Sequence, residues 1–581
     1  MSTYICMEAA SPCIVVVQGD SGRGRVTVAT RSLAPGEIVL AEHAVACVAA
    51  AGRSLCDDCL KSITCNDRGK RGSCGQQMGG RRGNHQQCVN CQSRSGRSSG
   101  SGHTPRGSSS YAQAPSSAVR LAVKLILLRR SGSLDNELAS RIDSLMHQHD
   151  EQQRFATSTE DCSSSSRHKQ DEEDCTQVAR LVSMGGVAAG ATTPLVLSGD
   201  HGDKAAPDTL IELARTELSR VSLNAITTCD GSGATGLGLF LSAAMFNHGC
   251  RPNCQAWWKG SKLEIRCTKP VAAGEELCFS YIPIDQPSTL RRAQLRHNWF
   301  FTCHCTRCVS GQWDAELTGL KCPGVPCTGA VRDHVVDGGG SSCNQCSFRA
   351  VDGRSADQAG KGPPRDTTTA VSPGGDDKRT KRLYPVGSSR EEHATTNRRC
   401  EESLRGARND FEDGMQAYMR EDPEVVALVA LEKSLLVRER ILHPFNKDLL
   451  RTLRYSSYAA VATRSWVKAQ SFLNRWLHPM ETMFGAAEVW DIAAMRIDAG
   501  LVLDKLHGSK IVPETVPVSP LTQSGAANRY RMHPAAYYEL TEGLKWIWVC
   551  LGKDSGLPAE TTALEVFSDR GINFKLGNDT V

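Results

Sequence analysis

Asn247-His248-Gly249-Cys250-Arg251-Pro252-Asn253-Cys254 is the stretch around which this 581-residue chain is organised. It follows an apolar run from Leu239 to Phe246 that is typical of a helix, so we expect the Asn-His pair to lie beside a buried surface. Small-molecule sites are usually lined in this way, with a few polar groups set against apolar walls. The stretch therefore predicts a binding site.

Two further motifs follow this stretch. Gly274-Glu275-Glu276-Leu277-Cys278-Phe279-Ser280-Tyr281 ends in a tyrosine, and Cys303-His304-Cys305-Thr306-Arg307-Cys308 supplies three soft metal ligands. A tetrahedral structural zinc needs four ligands. Cys250 is a natural fourth, which would tie the last motif to the first.

This order of motifs resembles that of the SET-domain protein lysine methyltransferases, in which the Asn-His-x-Cys segment is threaded under the segment ending in Glu-Glu-Leu-x-x-x-Tyr. An Arg- and Leu-rich helix before the core, an inserted zinc module and a helical C-terminal region make the chain similar to the SET-and-MYND-domain branch. The resemblance covers residues 12–60, 117–150, 208–347 and 424–570. It implies an α+β fold with a β-rich SET domain, an inserted zinc module, a post-SET zinc loop and a C-terminal helical domain that is like the tetratricopeptide repeat (TPR).

Pattern and composition divide the chain into segments. Short β-rich runs alternate with turn signals up to residue 49, and apolar residues step by three and four positions from residue 424 onward, as one face of a helix requires. We expect, in order, an N-terminal SET part at 12–55, a degenerate MYND-like zinc module with a basic disordered loop at 56–110, a helical insert at 117–150, a disordered insertion at 155–207, the SET core at 208–285, the post-SET zinc loop at 286–312, a zinc-ribbon-like segment at 320–347, a linker at 350–400 and a TPR-like helical domain at 424–570.

The resemblance implies an enzyme that transfers a methyl group from S-adenosylmethionine to the side-chain amine of a protein lysine. Tyr281 would be the catalytic tyrosine beside the transferred methyl group, although a strand-end tyrosine that caps a core is its ordinary alternative. Trp299 and Phe301 would close the lysine channel. The cofactor would be bound by Gly22, Arg23, Gly24, Asn224, Asn247, His248, Tyr281 and Phe301.

Two residues depart from the family pattern. Trp299 is bulkier than the usual tyrosine, which leaves open how many methyl groups are added. Arg23 stands where many relatives have a smaller polar residue. It either contacts the cofactor carboxylate or fills the pocket and weakens cofactor binding.

Cysteine spacing predicts up to three kinds of zinc site. The post-SET site would use Cys250, Cys303, Cys305 and Cys308, and a zinc ribbon would use Cys322, Cys327, Cys343 and Cys346. The MYND-like module offers Cys56, Cys59, Cys88 and Cys91, but it lacks the His-x-x-x-Cys that ends a MYND finger. We therefore expect one zinc or none in that module.

Composition bounds the compartment and the partners. The 25 cysteines sit largely at metal-thiolate spacing, which favours a reducing compartment, and no signal peptide or membrane-spanning run is seen. We expect a protein of the cytoplasm, the nucleus or both, with no membrane partner. A net charge of +5 is too weak to indicate nucleic acid, whereas residues 61–107 carry nine basic residues and one acidic residue, a net +8.

Three other interpretations compete with the enzyme. Gly231-Ser232-Gly233-Ala234-Thr235-Gly236 matches the dinucleotide-binding pattern but lacks the later acidic residue and the parallel βαβ unit. The chain can also be a non-catalytic, zinc-containing interaction scaffold with a relict SET fold, its C-terminal helices binding a protein partner. The basic segment can contact nucleic acid, although a solvated loop has the same composition.

For the enzyme that the resemblance implies, a histone tail or another protein would be the substrate.

Overall fold

The computed structural model describes most of the chain in separate stretches. These are residues 13–19, 24–50, 55, 60, 115–145, 164–183, 207–229, 234–323, 327–332, 342–346, 390–420, 424–507, 532–570 and 572.

The N-terminal half is built from short strands in small sheets. The strands are β1 Ile14–Gln18, β2 Arg25–Ala29, β3 Ile38–His43, β4 Ala46–Ala49, β5 Ala225–Cys229, β6 Ala234–Leu239, β7 Asn247–His248, β8 Cys254–Lys259, β9 Lys262–Cys267 and β10 Cys278–Phe279. β1 and β2 form an antiparallel hairpin, and the orders β3-β9-β8 and β4-β6-β5 make two antiparallel sheets. β7 pairs with β10 in parallel. Val39, Phe246 and Ile265, all fully buried, belong to the core between these elements.

Four helices interrupt the strands in the part of the chain that the structure describes. They are α1 Ser117–Arg130, α2 Asn136–Asp143, α3 Ser164–Ser183 and α4 Pro207–Asn224. α1 begins where the Ser116 hydroxyl accepts the backbone N–H of Val119 at 3.2 Å, which satisfies a donor that the helix cannot satisfy itself.

The prediction of a disordered insertion at 155–207 is wrong for residues 164–183, which form α3. The first half of α3 is almost wholly polar, so the sequence shows little helical periodicity there. Cys175, Val178 and Val182 in its second half are buried against α1 and α4. Tertiary packing therefore stabilises a helix that the sequence pattern does not predict.

The apolar run before the Asn-His pair is not a regular helix. Strand β6 ends at Leu239, and a single 3₁₀ turn, Ala243–Met245, leads into β7. The carboxylate of Glu42 accepts the backbone N–H groups of Ser242 and Ala243 at 3.2 and 2.7 Å. This contact from β3 fixes a tight turn where the apolar composition alone suggests a helix.

In the described residues after β10, three short helices and three short strands follow. They are α5 Ser288–Trp299, α6 Thr306–Ser310, α7 Asp314–Thr318, β11 Leu320–Lys321, β12 Ala330–Arg332 and β13 Ser342–Cys343. β11, β12 and β13 form an antiparallel sheet that carries the second cysteine cluster.

The C-terminal region is helical. Its helices are α8 Arg390–Met419, α9 Glu424–Ile441, α10 Lys447–Ala462, α11 Trp466–Met483, α12 Trp490–His507, α13 Pro534–Leu551 and α14 Pro558–Asp569. Helices that follow one another in sequence pack side by side from α8 to α13, as in a TPR-like array. Across the described part of the chain, none of the helices combines the length and apolarity needed to cross a membrane.

The predicted linker at 350–400 is wrong for residues 390–400, and the predicted start of the helical domain at 424 is too late. Both errors have one cause, because α8 begins at Arg390. Cys400, Ala407 and Phe411 are buried against α9, but charged residues dilute this apolar stripe in the sequence. Gly414 lies so close to Leu431 that an added Cβ would sit 2.8 Å from its Cγ. The close α8–α9 approach explains why the helix forms.

The helical region docks directly on the strand-rich N-terminal half. The indole N–H of Trp257 on β8 donates to the carbonyl of Ser555 at 2.8 Å, and its ring lies 5.3 Å from that of Trp490. Glu488, which is buried, accepts hydrogen bonds from Lys269 at 2.6 Å and from Arg251 at 3.3 Å. Arg251 belongs to the central Asn-His stretch, so the helical region holds that stretch in place.

Candidate active site and metal centres

The Asn-His stretch lies alongside the segment that ends in Tyr281. In the parallel β7–β10 pair, Asn247 is the register partner of Cys278 and His248 that of Phe279. Asn253 locks the crossing: its Oδ1 accepts the N–H of Cys278 and its Nδ2 donates to the carbonyl of Glu276, both at 2.9 Å. The two segments that the sequence singled out therefore lie side by side, and the threading of one under the other stays a prediction.

His248 has a defined tautomer. Its Nδ1 lies 3.1 Å from the backbone nitrogen of Tyr281, and a backbone N–H can only donate, so Nδ1 is unprotonated. The proton is on Nε2, which donates to the Sγ of Cys250 at 3.1 Å. Burial lowers the pKa of His248 to about 4, which keeps the ring neutral at pH 7.

Asn247 faces the N-terminal hairpin. Its amide Nδ2 donates to the carbonyl of Arg25 and to Oε1 of Glu276, both at 3.0 Å. Arg25 begins β2, one residue after Gly24, whose φ of +66° is in the left-handed region that glycine adopts most easily. Asn247 therefore fixes the end of the predicted cofactor turn. Gly22 and Arg23 lie outside the described residues.

Tyr281 lies among aromatic rings. Its hydroxyl donates a short hydrogen bond to the carbonyl of Phe246, and burial raises its pKa above the usual value. The ring centroids of Trp299, His248 and Phe279 lie 5.2, 5.5 and 5.5 Å from its own. Because its hydroxyl stays protonated at neutral pH, Tyr281 is suited to orient a group rather than to remove a proton.

Trp299 and Phe301 reach the same site because of the residue between them. Phe300 has a φ of +57° and ends α5, where its backbone N–H donates to the carbonyl of Arg296. The ring of Trp299 then lies against Tyr281, and that of Phe301 lies 6.3 Å from His248. Tyr281, Trp299 and Phe301 thus form one half-buried aromatic cluster.

Asn224 occupies the junction of α4 and β5. It is 9% exposed, and its Nδ2 donates to the carbonyl of Arg220 at 2.8 Å. This bond orients its amide along its own helix, and its role in cofactor binding stays a prediction.

The first cysteine cluster matches a tetrahedral zinc site. The sulfurs of Cys250, Cys303, Cys305 and Cys308 all lie within 4.8 Å of one another. Cys250 is 3.5 Å from Cys308 and 3.9 Å from Cys303. A Zn–S bond of about 2.3 Å places tetrahedral sulfurs about 3.8 Å apart. The donor set and its spacing therefore fit Zn²⁺.

Ionisation in this cluster also requires a cation. Hydrogen bonds from its neighbours, first that to Cys303, raise the pKa of Cys250 well above its usual value. Hydrogen bonds, first that from Cys250, lower the pKa of Cys305. Four thiolates this close together repel one another, so they become compatible only around a positive ion.

The second cysteine cluster also has the donor set and spacing of a tetrahedral zinc site. Cys322 lies 3.5 Å from Cys346, and Cys327 lies 3.6 Å from Cys343. The backbone N–H of Gly329 donates to Cys327 at 3.3 Å, and a Cβ on Gly329 would lie 2.6 Å from the sulfur of Cys343. The predicted grouping of these four cysteines is confirmed. Cys56, Cys59, Cys88 and Cys91 of the MYND-like module lie outside the described residues.

Three residues of the site were missed by the sequence analysis. Arg291 donates to the sulfur of Cys308 at 3.3 Å, and Arg307 to the carbonyl of Cys250 at 3.2 Å. Arg307 lies inside the Cys-x-Cys-x-x-Cys motif, and that position was its only signal. Arg291 and Glu488 are brought in by other elements, so sequence reasoning missed both.

Comparison with known proteins agrees with this geometry. The family model described as "SET domain" matches residues 24–282, which spans β2 to the residue after Tyr281. This stretch is less than half of the chain, but it contains both strands of the parallel β7–β10 pair.

Three proteins of known name share part of this sequence. "Histone-lysine N-methyltransferase SMYD3" of Mus musculus is 38% identical over 104 residues, 18% of this chain and 24% of that protein. "N-lysine methyltransferase SMYD2" of Gallus gallus is 34% identical over 120 residues, 20% of this chain and 28% of that protein. "SET domain and MYND-type zinc finger protein 6" of Schizosaccharomyces pombe is 32% identical over 111 residues, 19% of this chain and 23% of that protein. The matches thus span about a quarter of these relatives' length.

Proposed function

We propose that this chain, a SET-domain protein of the SET-and-MYND type, is a protein-lysine N-methyltransferase that uses S-adenosylmethionine. The observation that carries the proposal is the meeting of His248, Tyr281, Trp299 and Phe301 at the crossing of β7 and β10. The named relatives with the same kind of domain are lysine methyltransferases, which supports it.

Methyl transfer to an amine is an in-line displacement, so the protein mainly has to hold donor and acceptor at near-attack distance. The cofactor supplies the electrophilic methyl group on a positively charged sulfonium. Asn247 fixes the backbone at Arg25, beside the turn expected to contact it, and His248 fixes the backbone of Tyr281. These two side chains thereby hold their own strand, β7, against the segment at Arg25 and the segment at Tyr281.

The lysine amine must lose its proton before it can attack. Bringing a group of pKa 10.4 to its neutral form at pH 7 costs about 4 to 5 kcal/mol. Burial lowers the pKa of an amine, and aromatic walls exclude water. Trp299, Phe301 and Tyr281 provide such walls, while the protonated Tyr281 hydroxyl is held by the carbonyl of Phe246.

The finer assignments belong to the same proposal. The substrate is a lysine in a histone tail or in another protein, and the enzyme works in the cytoplasm, the nucleus or both. The C-terminal helices offer a surface for a protein partner. A contact of nucleic acid with residues 61–107 is a further option that steep salt dependence of binding would reveal.

The test is transfer of labelled methyl from S-adenosylmethionine to core histones and to a cell lysate by zinc-loaded, full-length protein. Tyr281→Phe and His248→Ala are compared with Tyr455→Phe, a half-buried tyrosine of the helical region whose ring packs on Phe411. We expect methyl-lysine from the wild type and Tyr455→Phe, and a loss on the order of 100-fold in the two site variants. Folded wild-type protein that neither transfers methyl nor binds the cofactor would favour the scaffold instead.

A further inference from the structure

Two arginines are completely buried beside the first cysteine cluster. Arg291 on α5 is 0% exposed and Arg307 on α6 is 1% exposed. Arginine is almost never buried unless it is paired, because its guanidinium keeps its charge. The negative charge that balances these two groups therefore has to be identified.

Neither arginine has a carboxylate partner among the described residues. The two guanidinium groups donate instead to Cys308 Sγ and to the carbonyls of Gln286 and Cys250. Arg307 also lies over the ring of Phe484, 4.7 Å from its centroid, while its Nε and Nη2 find no hydrogen-bond partner in the described structure.

The nearest acidic groups do not pair with these arginines. Asp285 and Glu488 are the carboxylates whose charge reaches Arg307. Glu488 is paired with Arg251 and Lys269, and among the described residues Asp285 forms no ion pair with either arginine. Two buried positive charges thus remain without a carboxylate in hydrogen-bond contact.

The cysteine cluster supplies a matching charge when it holds a divalent metal. Four thiolates around a divalent cation carry a net charge of −2, and the cluster lies in hydrogen-bond contact with both guanidinium groups. That value equals the charge of the two guanidinium groups with opposite sign. A buried charge is tolerated when it is paired and hydrogen-bonded, so the metal-loaded cluster and the two arginines form a neutral unit.

We propose that Arg291 and Arg307 are the charge-balancing residues of the Cys250–Cys303–Cys305–Cys308 site, and that they set its preference for a divalent cation held by four thiolates. The proposal goes beyond methyl transfer and does not depend on it. It treats both arginines as positioning and electrostatic residues of the metal site rather than as catalytic residues.

Zinc affinity measured by competition with a chromogenic chelator tests the proposal. The variants are Arg291→Met, Arg307→Met and Arg291→Lys, with Arg296→Met as the control because Arg296 lies exposed on the same helix. We expect each Met variant to lower the zinc affinity of the Cys250–Cys303–Cys305–Cys308 site about 10- to 100-fold. The zinc affinity of Arg291→Lys should stay within about threefold of wild type, because this variant keeps the buried positive charge. The zinc affinity of Arg296→Met should do the same, because the charge that it removes is exposed to solvent.

The second cluster is an internal reference in the same measurement. The sulfurs of Cys327 and Cys343 accept hydrogen bonds from the backbone N–H groups of Gly329 and Gln345. Its affinity should be unchanged in every variant. Unchanged affinity of both clusters in both Met variants would overturn the proposal, and so would equal weakening of both clusters.

A charge swap separates charge balance from simple packing. Cys305→His replaces a thiolate by a neutral imidazole and brings the loaded cluster to a net charge of −1. One arginine then suffices, so Arg291→Met should cost at least about tenfold less zinc affinity in the Cys305→His background than in the wild type. Equal costs in both backgrounds would contradict charge balance. If Arg291→Met alone does not fold, recovery of folded, zinc-bound protein in the double variant supports the proposal, and failure of the double variant overturns it.

Discussion

The Nδ1 atom of His248 accepts the backbone N–H of Tyr281 at 3.1 Å, while Nε2 of the same ring donates to the sulfur of Cys250. One imidazole therefore connects the candidate catalytic tyrosine to a ligand of the first zinc site. This arrangement explains why the Asn-His pair and the cysteine two residues later occur in one motif: both contacts require the same side chain.

The two contacts of His248 are separable by substitution. In His248→Asn the amide oxygen stands near the position of Nδ1 and can accept the Tyr281 N–H, whereas in His248→Gln the amide reaches the position of Nε2. We expect methyl transfer to be higher in the Asn variant and zinc affinity of the first cluster to be higher in the Gln variant. Transfer kinetics and chelator competition measure the two effects, and loss of both in parallel would argue against separate roles.

The two zinc sites should release metal at different rates. Cys250, Cys303 and Cys308 of the first cluster are buried, while Cys346 of the ribbon is exposed. A chelator should therefore remove zinc in two phases, the faster one from the ribbon. Cys346→Ser should abolish the fast phase and leave the slow phase intact. A single phase in the wild type, or a slow phase that also disappears in this variant, would refute the assignment.

Gly249 should tolerate no side chain. A Cβ at this position would overlap the sulfur of Cys278 on the paired segment, so Gly249→Ala should lose about 2 kcal/mol or more of stability. Gly406→Ala, in the middle of α8 with nothing within 4 Å of the added Cβ, should be neutral or slightly stabilising. Thermal denaturation compares the two. Adding Cys278→Ala should recover part of the loss at Gly249.

The carboxyl of Asp498 on α12 should contribute less to stability at neutral than at acidic pH. Burial raises its pKa to about 6, from an ordinary value of 3.8, against the attraction of Arg454. Because the folded state then binds this proton more tightly than the unfolded state, the contribution of Asp498 to stability falls as pH rises from about 4 to 6.

Asp498→Asn removes that penalty. Relative to wild type it should be more stable by about 1 to 3 kcal/mol at pH 7 to 8 and equally stable near pH 4, as measured by denaturation across this range. Asp491→Asn is the matched control on the same helix: it removes a carboxylate that pairs with Arg454 at 2.8 Å, so it should lower rather than raise the stability at pH 7 to 8. Parallel stability curves for wild type and Asp498→Asn would contradict the prediction.

Much of the site was predictable because its residues lie in dense local motifs. The Asn-His stretch, the segment ending in Tyr281 and both cysteine groups were recognised from residue type and spacing, and the structure brings each group together. Zinc needs four ligands of suitable chemistry, so its spacing rules survive in the sequence without knowledge of the fold. The first cluster was predictable across 58 positions for that reason.

Helices that depend on distant contacts were predicted less well. α3 and the first part of α8 were taken for irregular segments, since their apolar faces are short or diluted by charge. The run before Asn247 was taken for a helix, because the capping carboxylate of Glu42 comes from a strand about 200 positions earlier. In each case the deciding partner is far away in the chain.

The sequence by itself determined the chemistry: the ligand sets of two metal sites, the tyrosine, and the kind of domain that holds them. The tertiary structure alone decided the tautomer of His248, the burial of Arg291 and Arg307, and the clamp that Glu488 places on Arg251. Residue type fixes which bonds an atom can make. Which of those bonds form, and which charges lose their water, depends on neighbours that only folding brings into contact.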